Sequence, residues 1–177
     1  MKKVWLLGVV LSLALAGCSD SGNDEKAEEK KDSGEAAETN ADVSGELMDF
    51  YLNLTTSING TDIELNDYEA ATASEEPPTG EELTALKEAA AASATETAET
   101  VEGIEISEAL SEQKEDLETF KANLVESYTM KAEALKAEGD ANLDAANEKL
   151  TEAEAQITKI LEDEGLVSSS LTGNING

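Results

Sequence analysis

Reactive side chains are few in this sequence. Cys18 is the only cysteine among 177 residues, histidine and arginine are absent, and the other ionisable groups are 40 Asp and Glu, 12 Lys and 3 Tyr. Without imidazole, the commonest general base and the nitrogen-ligated metal sites are excluded. With no thiol after residue 18, so is a nucleophilic cysteine in the body of the chain. Carboxylate chemistry remains. Glu112, Glu115, Asp116 and Glu118 crowd one stretch, Glu152, Glu154, Glu162, Asp163 and Glu164 another, and a hard cation such as Ca²⁺ accepts all-oxygen ligands. These acids match no EF-hand spacing and fall largely off the apolar stripe described below, the pattern of a solvated helix face. A binding module for a cation or small ligand is the second reading of these faces. The first is a non-catalytic chain, with no catalytic residue, metal ligand or cofactor expected.

Cys18 has the most informative neighbourhood. Lys2 and Lys3 form a positive tip, and an apolar stretch from Val4 to Ala16 follows, broken only by Gly8 and Ser12. That is the layout of a secretory signal. The run is too short for a permanent span, which needs about 20 apolar residues for a hydrocarbon core of about 30 Å. Its end, Leu15-Ala16-Gly17-Cys18, resembles the lipobox of bacterial lipoprotein precursors. The resemblance covers residues 1–18 and implies that a signal peptidase recognises Leu15, Ala16 and Gly17. The cut then falls before Cys18, whose thiol carries a diacylglycerol group. At about 0.8 kcal/mol per buried methylene, two or three acyl chains hold a protein firmly on a membrane. The implied place is the outer face of the cell membrane, with residues 1–17 removed.

Charge fits that address. From Cys18 onward, 40 acids face 10 lysines, a formal charge of −30. No cationic stripe exists to displace counterions from nucleic acid, and anionic headgroups would repel the body, leaving the lipid as the membrane contact. Residues 19–43, SDSGNDEKAEEKKDSGEAAETNADV, contain one large aliphatic residue, Val43. Too little apolar surface is present to offset ordering, so residues 18–43 read as a disordered acidic tether with a span of roughly 28 Å.

Beyond residue 43 the apolar residues recur at steps of three and four, the spacing of one helix face. The fold class expected is all-α: an up-down-up-down antiparallel four-helix bundle over residues 44–167, with coiled-coil-like packing. The first stripe runs Leu47, Tyr51, Leu54, Ile58, Thr61, Leu65, Tyr68 and Thr72, widened by Phe50 and Ile63, with Ser44 as N-cap. Asn59-Gly60 favours a turn, but the stripe keeps register through it, which favours one long helix. Glu75-Glu76-Pro77-Pro78 should end that helix. Thr79-Gly80-Glu81-Glu82 then reads as a capping box for the second, which is alanine-rich and supplies little apolar area.

Ser107 should open the third helix, with Leu110, Lys114, Leu117, Phe120, Leu124, Tyr128, Ala132 and Leu135 on its stripe. Gly139 suits a left-handed cap, and Asp140 or Asn142 the next N-cap. The fourth helix carries Leu143, Ala146, Leu150, Ala153, Ile157, Ile160 and Leu161 and stops at Gly165, where Leu166 and Val167 can fold back. Residues 168–177, SSSLTGNING, read as a frayed tail. The polar run Asn53, Thr55, Thr56, Ser57, Asn59, Thr61 could line a groove, permit a kink or simply form an exposed face. Tyr51, Tyr68 and Tyr128 stand at core positions, and would form a sugar-stacking patch only if their rings shared an open groove.

Together these features resemble the small helical lipoproteins of Gram-positive bacteria. They imply a lipid-anchored body with a structural or interaction role at the cell envelope, a membrane contact through Cys18 and a protein partner that the residues do not name. A pair of helical hairpins associating as a homo-oligomer is the alternative to the monomeric bundle.

Overall fold

The computed structural model describes residues 35–175. The signal segment, Leu15, Ala16, Gly17, Cys18 and the first part of the tether lie outside them. The described chain is all-helical: α1 (Glu35–Asn59), α2 (Ile63–Thr72), α3 (Glu81–Gly103), a short 3-10 turn (Glu108–Leu110), α4 (Lys114–Lys136), α5 (Asp144–Asp163) and α6 (Leu171–Ile175). Among the described residues no helix is long and apolar enough to cross a membrane.

The three-four stripes become the core. Leu47, Leu54, Ile58 and Leu65 from the first stretch are fully enclosed, as are Leu117, Phe120 and Leu124 of α4 and Ile157 and Leu161 of α5. Each large side chain of this kind contributes about 1.5–3 kcal/mol. The face of α3 is mostly small, with Ala90, Ala91, Ala94 and Ala98 buried beside Val101. Small residues add little area, but they let α3 pack closely on both α2 and α4. The other main partner of α4 is α5, while α1 lies against α3, the 3-10 turn and α6.

Several expected boundaries move. Helix α1 runs from Glu35 through Ser44, so Ser44 is no N-cap; its hydroxyl donates to the Glu164 carbonyl at the end of α5 instead. The first helical stretch does not continue through Asn59-Gly60. The Gly60 amide donates to both the Thr56 and Ser57 carbonyls, Thr61 donates to Ile58, and α2 begins at Ile63. Hydroxyls drive this tightening: Thr55 bonds back to the Tyr51 carbonyl at 3.0 Å and Thr61 to Ile58 at 3.1 Å, and such back-bonding competes with the regular ladder. Leu65 and Tyr68 stay in the core across the break, but Ile63, 54% exposed, does not join the stripe.

Helix α2 stops at Thr72, ahead of the prolines. The capping box does not form: α3 starts one residue later, with Gly80 as N-cap at φ +64° and no side-chain cap. That left-handed conformation suits glycine alone. Ser107 accepts from the Ala109 amide at 3.3 Å and so opens the 3-10 turn, while α4 itself starts at Lys114. Gly139 takes positive φ but lies two residues beyond Ala137, the extended cap of α4, and neither Asp140 nor Asn142 caps α5. The N-cap is Leu143, without a side-chain cap bond, and the Asn142 carboxamide accepts from the Asp144 amide at 2.9 Å in a local turn.

The end of α5 is a full Schellman motif. Gly165, at φ +74°, donates to Glu162, and Leu166 donates to Leu161, the paired 5→2 and 6→1 bonds of that cap. Leu166 folds back onto the core, but Val167 is 91% exposed and does not. The expected frayed tail is ordered over residues 171–175. There α6 buries Leu171 and Ile175 completely, and Asn174 both donates to the Tyr51 hydroxyl and accepts from the Asn59 carboxamide, each at 2.8 Å.

Candidate functional site

The break between α1 and α2 assembles most of the buried polar chemistry of the described chain. Interrupting a helix frees backbone groups that need partners. Ser93 of α3 supplies two: its hydroxyl donates to the Thr61 carbonyl at 2.6 Å and accepts from the Leu65 amide at 3.4 Å. Thr97, one turn along, donates to the Thr61 hydroxyl at 3.0 Å. The alanines flanking Ser93 are therefore what allow α3 to come close enough for a short hydroxyl to serve the break. From the other side, Asn66 of α2 donates to the Ile175 carbonyl at 3.2 Å, tying α6 over the same spot.

Beside this knot sits a cluster of ionisable groups. Asp62 is 1% exposed, with one carboxylate oxygen 3.4 Å from the Tyr128 hydroxyl and the other without any hydrogen-bond partner. Asp62 and Glu69 are two helical turns apart, and Tyr128 and Lys131 are neighbours on one face of α4. The Lys131 side chain, 5% exposed, meets the Glu69 carboxylate at 2.7 Å and lies 5.9 Å from the Tyr128 ring centre. Burial pushes Asp62 up to about 6, against the nearby Asn66 amide, the Tyr128 hydroxyl and the Lys131 charge, which pull it down. Burial also raises Tyr128 well above its usual value, and the Asp62 charge adds to that.

Chemically, the cluster can hold a proton on Asp62 up to about pH 6, beyond the usual carboxylate range. It lines none of the grooves along α3 and α4 and packs beside the break between α1 and α2. The sequence reading missed it. A lysine directly between the stripe residues Tyr128 and Ala132 was the one available hint.

The residues singled out in sequence fare differently. Glu112, Glu115, Asp116, Glu118, Glu152, Glu162 and Asp163 are exposed, and among the described residues no three acids gather in a metal-holding group. Glu154 accepts from Ser170 and Thr172, and Glu164 from Gln113, so both serve as structural ties. Tyr51, Tyr68 and Tyr128 are all core residues and share no open groove. The polar run at 53–61 divides: Asn53, Thr56 and Asn59 are an exposed face, while Thr55 and Thr61 bond back to carbonyls at the kink. Comparison with known proteins gives no match to a family model, a curated protein or a solved structure.

Proposed function

We propose that this chain is a lipid-anchored extracytoplasmic lipoprotein whose helical body has a non-catalytic interaction or structural role at the cell envelope. One observation carries the address: Leu15-Ala16-Gly17-Cys18 at the end of the apolar run that follows Lys2 and Lys3. Cys18 becomes the lipidated first residue, and the acyl chains are the contact with the membrane. The interaction role is supported by a body of packed helices whose buried ionisable groups are withdrawn from the grooves along α3 and α4.

The body is arranged as an up-down-up-down bundle, with α1 and α2 together making one of its four members. Helix pairs successive in the chain pack side by side, α2 on α3, α3 on α4 and α4 on α5, and connections this short favour antiparallel neighbours. The test of the address is Cys18→Ser in the native host, followed by fractionation. An unlipidated, uncut precursor is expected; a processed chain that still partitions with the membrane overturns the lipobox reading.

A further inference from the structure

A continuous groove runs along the α3–α4 pair on the solvent side. Its three stretches hold about 1110, 280 and 430 Å³, and neighbouring stretches share wall residues: Thr95, Glu99 and Lys136 join the first to the second, Glu102, Val125 and Thr129 the second to the third. From Leu83 to Glu102 along α3 the length is about 28 Å at 1.5 Å per residue, the length of a helix of 18 to 20 residues. The floor is apolar and low, because Ala91 and Ala98 on α3 leave space opposite Val125, Met130 and Leu135.

Charge selects the occupant. Nine carboxylates and three lysines line the three stretches. All three lysines are turned onto the walls of the groove. Lys87 donates to the Ala137 and Gly139 carbonyls beyond the end of α4 (3.1 and 2.6 Å), Lys121 to the Glu102 and Ile104 carbonyls at the end of α3, and Lys136 to the Thr95 hydroxyl at 3.1 Å. Each of the first two thereby satisfies carbonyls at a neighbouring helix C-terminus, where cations are favoured. What faces an incoming partner is a strip of alanine and threonine with half-buried Leu83, Val125 and Met130 between them, set between acidic rims.

We propose that this groove is the docking site for an amphipathic helix of a partner protein, apolar on one face and flanked by lysine or arginine. Such a helix lays its apolar face into a groove through residues at i, i+3, i+4 and i+7, and its basic flanks meet Glu88, Glu96 and Glu99 on one rim and Glu126, Glu133 and Glu138 on the other. A second copy of this chain from Cys18 onward brings the same sign of charge, formally −30 (10 lysines against 40 acids), and is repelled by the rims. The proposal rests on the interaction role above and names the chemistry of the partner.

The test uses the full chain in non-ionic detergent and an 18-residue Leu/Lys amphipathic helix as probe, read by fluorescence anisotropy. Saturable one-to-one binding that weakens with salt is expected. Paired Ala92→Arg and Thr129→Arg substitutions, both on exposed groove residues, should reduce affinity at least tenfold. The charge-matched pair Ala145→Arg and Ala155→Arg, exposed on α5, should leave it within twofold. Circular dichroism checks that both variants fold. Equal loss in the two pairs, equal binding of a peptide with the leucines scattered round the helix, or no saturable binding overturns the groove. So does peptide-sensitive self-association in sedimentation, which would put a second copy there. In cells, a photocrosslinked partner from position 155 without peptide binding in the groove removes the groove alone. No partner from position 92 or 155 removes the interaction role itself.

Discussion

Asp62→Asn should make the protein more stable at neutral pH and leave it unchanged in acid. The Asp62 carboxyl is held at about 6 in the folded chain, against an ordinary value of 3.8. A group whose folded pKa is raised in this way binds its proton more tightly in the native than in the unfolded state. Stability therefore falls as pH rises from about 4 to about 6, and no further change from this group follows above that window. Two units at 1.36 kcal/mol each set an upper bound of about 3 kcal/mol. Part-exposed Asn66 beside the carboxylate admits screening by water, which lowers the working figure to about 2 kcal/mol.

Asparagine keeps the shape and the oxygen that accepts from Tyr128 while removing the charge. The variant should therefore match the wild type near pH 3 and exceed it by about 2 kcal/mol at pH 7.5. Urea unfolding followed by circular dichroism, on both proteins at each pH, gives the difference directly. Taking a difference cancels the common titration of the other acids. A gap that does not vary with pH, or a variant less stable throughout, would refute the placement of an ionised Asp62 in a desolvated pocket.

The remaining expectations concern the ties around the same fold. Glu69→Ala leaves the Lys131 ammonium buried and unpaired and should cost about 2–4 kcal/mol; adding Lys131→Met should recover most of it, and urea unfolding of the single and double variants checks both statements. Gly165→Ala forces a Cβ onto a residue at φ +74° and should cost about 1–2 kcal/mol, read as a lowered Tm. Ending the chain at Ser170 removes buried Leu171 and Ile175 together with the Asn174 bonds. A loss of roughly 3 kcal/mol or more is expected, with faster amide exchange at residues 58–66 as the local signature.

Where structure is set by near neighbours, the residues announced it. On α4 and α5 the expected stripe residues are buried except Lys114, which is exposed, and Leu143, which is half-buried just ahead of α5. Gly165 takes the left-handed conformation of a helix-ending glycine, whereas Gly139, also at positive φ, lies two residues beyond Ala137, the extended cap of α4. The Asn59-Gly60 break was harder to read because the apolar register survives it: Ile58 and Leu65 both remain in the core. Its cause lies in Thr55 and Thr61 bonding back to carbonyls, and its permission in Ser93 arriving from α3. Helix α6 offered only two large apolar residues among glycine, serine and asparagine, and its order comes from docking onto α1 and α5, with one hydrogen bond from Asn66 of α2. The ionisable cluster joins Asp62 and Tyr128 across 66 positions, a distance that no local pattern spans. The proposed signal and lipobox, ending at Cys18, rest on residue types and spacing alone and lie outside the described residues.

Intact-mass and N-terminal peptide spectrometry of the native, membrane-extracted protein tests the anchor most directly. The expected result is a chain that begins at Cys18 and carries a thioether-linked diacylglycerol. A free thiol at Cys18, or a chain that begins elsewhere, would contradict it.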